Sequence, residues 1–156
     1  MSDTSTTPAT TLPAFDFSPA GLAKARALAA ERGVHVDYHR SRVGDWDWTK
    51  QYDVVVGIFI QFVPPPERRR LFEGIQRAMR PGGLLILQGY GPGQLAYGTG
   101  GPKQLENLYT EDLLRESFAD LEILHLASHD DMVDEGPGHR GMSALVDLVA
   151  RRPEQS

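Results

Sequence analysis

The run Tyr52-Asp53-Val54-Val55-Val56-Gly57-Ile58-Phe59-Ile60-Gln61-Phe62 constrains this chain more than any other feature. Consecutive β-branched and aromatic residues without polar alternation fit a strand covered on both faces, and such strands sit inside parallel sheets flanked by helices. The run therefore predicts a central strand over 52–62. Pro64-Pro65-Pro66 stops it, and residues 67–80 then place Leu71, Phe72, Ile75 and Met79 on one side of an amphipathic helix. Arg77 and Arg80 stand where basic groups complement the helix dipole. Pro81-Gly82-Gly83 ends that helix and 84–88 forms a second apolar strand, giving a βαβ unit whose crossover is right-handed.

The flanks extend this pattern. Residues 1–12 are small and polar without periodicity, which predicts a disordered tail; one domain is expected over 13–152 and a short tail over 153–156. Ser18 suits an N-cap and Pro19 a first helical position, Leu22, Ala25, Leu28 and Ala29 form an apolar stripe, and Gly33 supplies a left-handed stop. Val34, Val36 and Tyr38 alternate with polar residues, as in a half-buried strand. Residues 89–107 contain six glycines and read as a long irregular loop of the kind that often carries function. Thr110 caps a short helix, 121–126 and 143–151 read as strands, and the polar stretch 128–141 reads as a loop. The order α, β, β, α, β, α, β, β is that of an α/β protein, mostly parallel with an antiparallel pair of strands at its C-terminal end.

Composition removes several function classes. There is no cysteine, hence no disulfide framework, thiolate metal site or cysteine nucleophile. The 21 acidic against 16 basic residues give a net charge of −5, the wrong sign for a domain that binds nucleic acid through its phosphates. No apolar run approaches the ~18 residues that a membrane helix needs. The start of the chain lacks the basic and apolar regions of a signal peptide. The expectation is a cytoplasmic protein with a small-molecule partner, no nucleic acid and no membrane.

Three segments carry a family resemblance: Phe15-Asp16-Phe17-Ser18-Pro19-Ala20-Gly21-Leu22-Ala23-Lys24-Ala25-Arg26, Tyr52-Asp53-Val54-Val55-Val56, and Met79-Arg80-Pro81-Gly82-Gly83-Leu84-Leu85. In order and spacing they resemble the segment after the second strand, the fourth strand, and the turn before the fifth strand of class I S-adenosylmethionine-dependent methyltransferases. The resemblance covers residues 14–152 and is nearest the small tellurite-resistance-type branch. It implies a Rossmann-like methyltransferase sheet, S-adenosylmethionine as cofactor and a small-molecule methyl acceptor.

What it implies for single residues is specific. Asp16 would accept hydrogen bonds from the cofactor's ribose diol, its alternative role being a second helix cap beside Ser18. Phe17 would face the adenine, or serve as a core aromatic. Where the family places an acid after its third strand, this chain has Arg42; either Asp45 substitutes, or the adenine contact reduces to the backbone near Val43. Ile58 and Phe59 would line the methionine part of the cofactor, while strand packing accounts for most of that run. Tyr90, Tyr97 and Tyr109 are substrate-facing candidates or plain loop aromatics. Trp46 and Trp48 read as packing or loop aromatics and not as catalytic groups. No catalytic base stands out, and in-line methyl transfer can proceed by positioning alone.

Other constellations read as structure. His125, His129, Asp130, Asp131, Asp134 and His139 lack a metal-ligand spacing and read as solvated surface, so no metal is expected. Arg68-Arg69-Arg70 reads as an exposed helix face. Gly89-Tyr90-Gly91-Pro92-Gly93 is not a phosphate loop, because no Gly-Lys-Ser/Thr follows it.

The family's first strand and its glycine-rich turn have no counterpart: fifteen residues precede Asp16 and none is Gly. The expectation is a sheet lacking its first strand and the following helix, with two strand edges and apolar surface left uncovered. Residues 12–17 could fill the vacancy, a second subunit could, the third strand could move beside the fourth, or the chain could be a truncated version of a longer enzyme. Two functional readings follow. One is methyl transfer to a small molecule; the other is a non-catalytic methyltransferase-like domain acting through a partner or as a homodimer. A nicotinamide-dependent oxidoreductase would use the same ribose carboxylate, but it needs the same missing turn.

Overall fold

The structure is a computed structural model, and it describes residues 12–16, 19–33, 35–41, 45–134 and 140–154. The chain divides into two compact units, Met1–Trp46 and Asp47–Ser156.

The first unit is a βαβ motif. Strand β1 (Leu12–Asp16) runs parallel to β2 (Val36–Arg40), and α1 (Pro19–Arg32) connects them. Pairing with β2 gives 12–16 a strand that its own composition did not predict, so Leu12 begins an element instead of ending a tail. Leu22 and Ala29 of the expected stripe are buried, whereas Leu28 is 51% exposed. Gly33 ends α1 at φ +66° with open space around it. The Tyr38 hydroxyl donates to the Ala25 carbonyl at 3.1 Å, tying β2 to the helix. Trp46 stacks on Phe15 with ring centroids 4.3 Å apart, the packing one of its two expected roles.

The second unit holds a four-stranded sheet in the order β3-β4-β6-β5. Strand β3 (Tyr52–Ile58) is parallel to β4 (Met79–Tyr90), with α2 (Pro65–Arg77) as the crossover. Strands β5 (Glu122–Asp134) and β6 (Arg140–Arg151) are antiparallel to each other, and β6 is antiparallel to β4. Three short helical pieces connect β4 to β5: α3 (Gln94–Tyr97), a 3₁₀ turn over Leu105–Asn107, and α4 (Glu111–Ser117). The Thr110 Oγ1 accepts the Leu113 N–H at 3.0 Å and caps α4, as expected.

Four expectations need correction. The apolar run stops being a strand at Ile58, because Phe59 adopts φ +52° and turns the chain out of the sheet. β3 is also not central: among the described strands it pairs with β4 alone, and Val54, Val56 and Ile58 are 47%, 57% and 44% exposed on one face. Met79 and Arg80 belong to β4 and not to the preceding helix, since Gly82 at φ +80° lets the Pro-Gly-Gly segment lie within the strand as a register shift. The polar stretch after Ser128 is mostly hairpin, because backbone pairing from Val133↔Gly141 downward satisfies the ladder whatever the side-chain polarity.

The core lies on one face of this sheet. Leu85 and Leu87 of β4 and Val146, Leu148 and Ala150 of β6 are fully buried there, together with Leu71, Phe72 and Ile75 of α2 and Leu114 of α4. Phe72 meets Phe118 at 4.7 Å, and Trp48 lies against Gly74, where a Cβ would come within 2.7 Å of the indole. The opposite face is divided. At the upper end of the strands Tyr90, Leu108, Val133 and Leu145 form a second small core, while the lower part, with Val54, Val56, Ile58 and Ile86, is bare.

Candidate functional site

A cleft of about 590 Å³ opens where the parallel strands β3 and β4 end. Ligands of open α/β sheets bind beyond the carboxyl ends of such strands. The cleft begins with Phe59. Its backbone N–H donates to the Gln88 carbonyl at 2.9 Å, so the ladder continues one residue past β3 while the chain turns away. A bulky residue at positive φ costs on the order of 1–3 kcal/mol and persists only where its surroundings hold it. Here the Phe59 ring stacks on Tyr90, centroids 4.4 Å apart and planes 14° from parallel.

Tyr90 is itself fixed from three sides. The buried Gln61 side chain accepts the Tyr90 N–H at 2.6 Å and donates to its carbonyl at 2.8 Å. The same amide donates to the Asn107 carbonyl at 3.1 Å, drawing the 3₁₀ turn to the strand end. Gly101, at φ +79°, lies so close that a Cβ would stand 2.6 Å from the Tyr90 ring. Phe62 and Lys103 also line the cleft; Phe62 is 62% exposed.

The expected site residues divide accordingly. Phe59 and Tyr90 meet at the cleft, with Tyr90 buried beneath Phe59 as its support. Ile58 stands on the bare face of β3 and does not line the cleft. Tyr97 sits on α3, 39% exposed, outside the lining; desolvation and then a hydrogen bond to Asp130 push its phenol above the ordinary value. Tyr109 is buried against Phe72 and not substrate-facing. In the first unit Asp16 is the last residue of β1, in register with Arg40. Phe17, Ser18, Arg42 and Val43 lie outside the described residues. Sequence reasoning missed Gln61, Phe62 and Lys103. Gln61 was the visible signal, a lone amide inside an apolar run.

The polar residues near the β5–β6 hairpin have partners of their own. His129 Nε2 lies 2.6 Å from Asp147, Gln88 donates to the same carboxylate at 2.8 Å, and Arg140 pairs with Asp134 at 3.0 Å. Among the described residues no three metal-ligating side chains gather. No described helix is long and apolar enough to cross a membrane.

A sequence profile of a methyltransferase domain matches residues 4–83, half of the chain. The chain belongs to the methyltransferase-domain family. Its fold is the α/β Rossmann-like fold of the class I S-adenosylmethionine-dependent enzymes. This methyltransferase-family chain superposes on TehB from Haemophilus influenzae with a TM-score of 0.68 at 14% identity, over 90% of this chain and 49% of the other. It superposes on the N-methyltransferase NodS from Bradyrhizobium japonicum, solved with S-adenosyl-L-homocysteine, with a TM-score of 0.67 at 12% identity, over 92% and 67%. It is 34% identical over 114 residues to carboxy-S-adenosyl-L-methionine synthase from Geobacter metallireducens, which spans 70% of this chain and 45% of that protein. The chain thus spans less than half the length of the curated relatives it matches.

Proposed function

We propose that this chain takes part in S-adenosylmethionine-dependent methyl transfer to a small-molecule acceptor, with the acceptor held in the cleft beside Phe59. The observation that carries the reading is the strained Phe59 at the carboxyl end of a parallel strand, stacked on a Tyr90 pinned by Gln61. Strain kept in place by that many contacts is a mark of a functional site.

The residues suit the cofactor in part. Asp16 ends a parallel strand, where a carboxylate can accept both hydroxyls of a ribose, and we assign it that role. On the family resemblance alone, Phe17 and Val43 are proposed for the adenine, and Ile58 and Phe59 for the methionine part of the cofactor. When bound, the cofactor would supply an electrophilic methyl carbon on a sulfonium, open to in-line attack by the acceptor's lone pair with the neutral thioether S-adenosylhomocysteine as leaving group. The protein's part is to hold the nucleophile, exclude water and align. Phe59 and Tyr90 supply a rigid wall for that purpose. Calorimetric titration with S-adenosylhomocysteine tests the reading: saturable binding weakened roughly tenfold or more by Asp16→Ala, about 1.4 kcal/mol, supports it. Absence of binding up to millimolar ligand overturns it.

A second reading has its own observation. β3 has one hydrogen-bonded neighbour among the described strands, and the Val54, Val56 and Ile58 side chains stand exposed in a row beside Ile86. From Val54 onward β3 is a regular, apolar edge strand without proline or lysine, and such an edge is a template for another strand. It supports a role in binding a partner or a second copy, and light scattering distinguishes the two: a mass twice that of the chain favours the homodimer.

A further inference from the structure

We propose that the cleft beside Phe59 selects a flat aromatic or heteroaromatic molecule bearing an anionic group. The inference rests on reading this cleft as the acceptor's place. Its wall carries two phenylalanine rings, Phe59 and Phe62, and Phe62 is 62% exposed. Rings in a wall prefer a ring as partner, because offset stacking adds about 0.5–1.5 kcal/mol to the burial of area. The wall is also rigid. Phe59 cannot swing away without losing its stacking on Tyr90, and Tyr90 cannot retreat because Gly101 backs its ring.

The polar groups beside these rings differ: Asn107 Oδ1 is buried without a hydrogen-bond partner among the described residues, whereas Gln61 is engaged. The Gln61 amide is spent on the main chain of Tyr90 and Asn107, so it has little left with which to select a ligand. The free Asn107 oxygen can accept a hydrogen bond but carries no charge with which to hold an anion, so selection for an anionic group falls to Lys103. Lys103 is the one lining residue with a charged side chain, and no ion pair involves it among the described residues. In a chain of net charge −5, an ammonium set at a cleft of aromatic rings marks that spot for an anion.

The test is a titration of ¹⁵N-labelled protein with three probes, followed at the amides of Phe59, Gln61 and Lys103. The probes are 2-naphthoate, its saturated analogue decahydro-2-naphthoate, and 2-naphthylmethylamine. The expected result is that 2-naphthoate moves these amides and binds about threefold or more tighter than the saturated acid, as stacking predicts. It should also bind about tenfold tighter than the amine. Lys103→Gln, on an exposed loop, should erase the preference over the amine, and Lys103→Arg should retain it. Phe62→Ala should erase the preference over the saturated acid. Equal affinity for naphthoate and amine, equal affinity for the flat and saturated acids, or shifts confined to other regions would each overturn the inference. Titrating the same sample with S-adenosylhomocysteine separates the two claims. Selective naphthoate binding without homocysteine-cofactor binding upholds the cleft's selectivity while removing the methyl-transfer reading, and unselective binding beside a tight cofactor removes the selectivity alone.

Discussion

Gln61 and Tyr90 are joined twice: the carboxamide oxygen takes the Tyr90 N–H at 2.6 Å and the carboxamide nitrogen donates to the Tyr90 carbonyl at 2.8 Å. The side chain mimics a neighbouring strand at a point where β3 has already turned away. Gln61→Met keeps the volume and removes both bonds together with the one to the Asn107 carbonyl; the Tyr90 N–H is left without this partner, while the Tyr90 carbonyl still accepts the Tyr109 N–H at 2.9 Å. A buried N–H left unpaired costs about 1–3 kcal/mol, so urea unfolding should show a destabilisation of about that size. A change below ~0.5 kcal/mol, within the range of an inert surface substitution, would refute the role given to Gln61.

Two glycines of the loop separate backbone strain from collision. Gly98 has φ +62° with nothing within 4 Å, whereas Gly101 has φ +79° and the Tyr90 ring at 2.6 Å from a would-be Cβ. Gly98→Ala should cost only the left-handed penalty, about 1–2 kcal/mol. Gly101→Ala adds overpacking against a ring that cannot give, about 1–3 kcal/mol more. Thermal melts of the pair check the order; equal losses would mean that the loop does not rest on Tyr90.

Tyr109 is buried, and its hydroxyl has no hydrogen-bond partner among the described residues. Burial pushes its phenol above the ordinary value, with Arg68 opposing weakly. A phenol whose folded pKa is raised gives stability that is whole below the unfolded value of about 10 and is lost as pH rises beyond it. Stability should thus fall above that pH, and the fall should diminish in Tyr109→Phe. At neutral pH the same substitution should be neutral or stabilising, because it removes a buried hydroxyl that makes no bond. Urea midpoints at neutral and alkaline pH test both halves, and a loss above ~1 kcal/mol at neutral pH would show that the hydroxyl is bonded after all.

Which parts of this molecule can be read from sequence depends on how local their causes are. The Gly33 stop and the Thr110 cap depend on one or two residues and their own backbone and are where the sequence reading puts them, and the crossover helix over Leu71, Phe72 and Ile75 is there too, though it runs Pro65–Arg77 and not 67–80. β1 and the upper part of the β5–β6 hairpin depend on a partner strand far along the chain, and composition carries no trace of that. The end of β3 is subtler. Nothing in Ile58-Phe59-Ile60 announces a left-handed Phe59, since its cause is the stacking on Tyr90, which only the fold brings near. Likewise Gly101 counted as one of several loop glycines, while its specific use is the close approach to that ring. The cleft is therefore legible in its ingredients, an aromatic strand end and a glycine-rich loop, but not in its assembly.

The bare face of β3 offers the last test. Val56 is 57% exposed in the middle of the row formed with Val54 and Ile58, and Ile86 stands opposite it on β4. A lysine placed there keeps its charged end in water by lying its stem along the neighbours, so Val56→Lys should alter stability by no more than about 0.5 kcal/mol in the isolated chain. If the same face is covered by a second copy, the charge is carried into an apolar interface and must be desolvated, at a cost of several kcal/mol. Association should then weaken by two orders of magnitude or more, since each ~1.4 kcal/mol is a factor of ten. Light scattering across a concentration series, run beside urea unfolding, reads the two quantities separately. A dimer that dissociates on Val56→Lys with its fold intact places the interface on this face. A dimer indifferent to the lysine places it elsewhere, and a monomer that unfolds on substitution shows that Val56 is already packed within the chain.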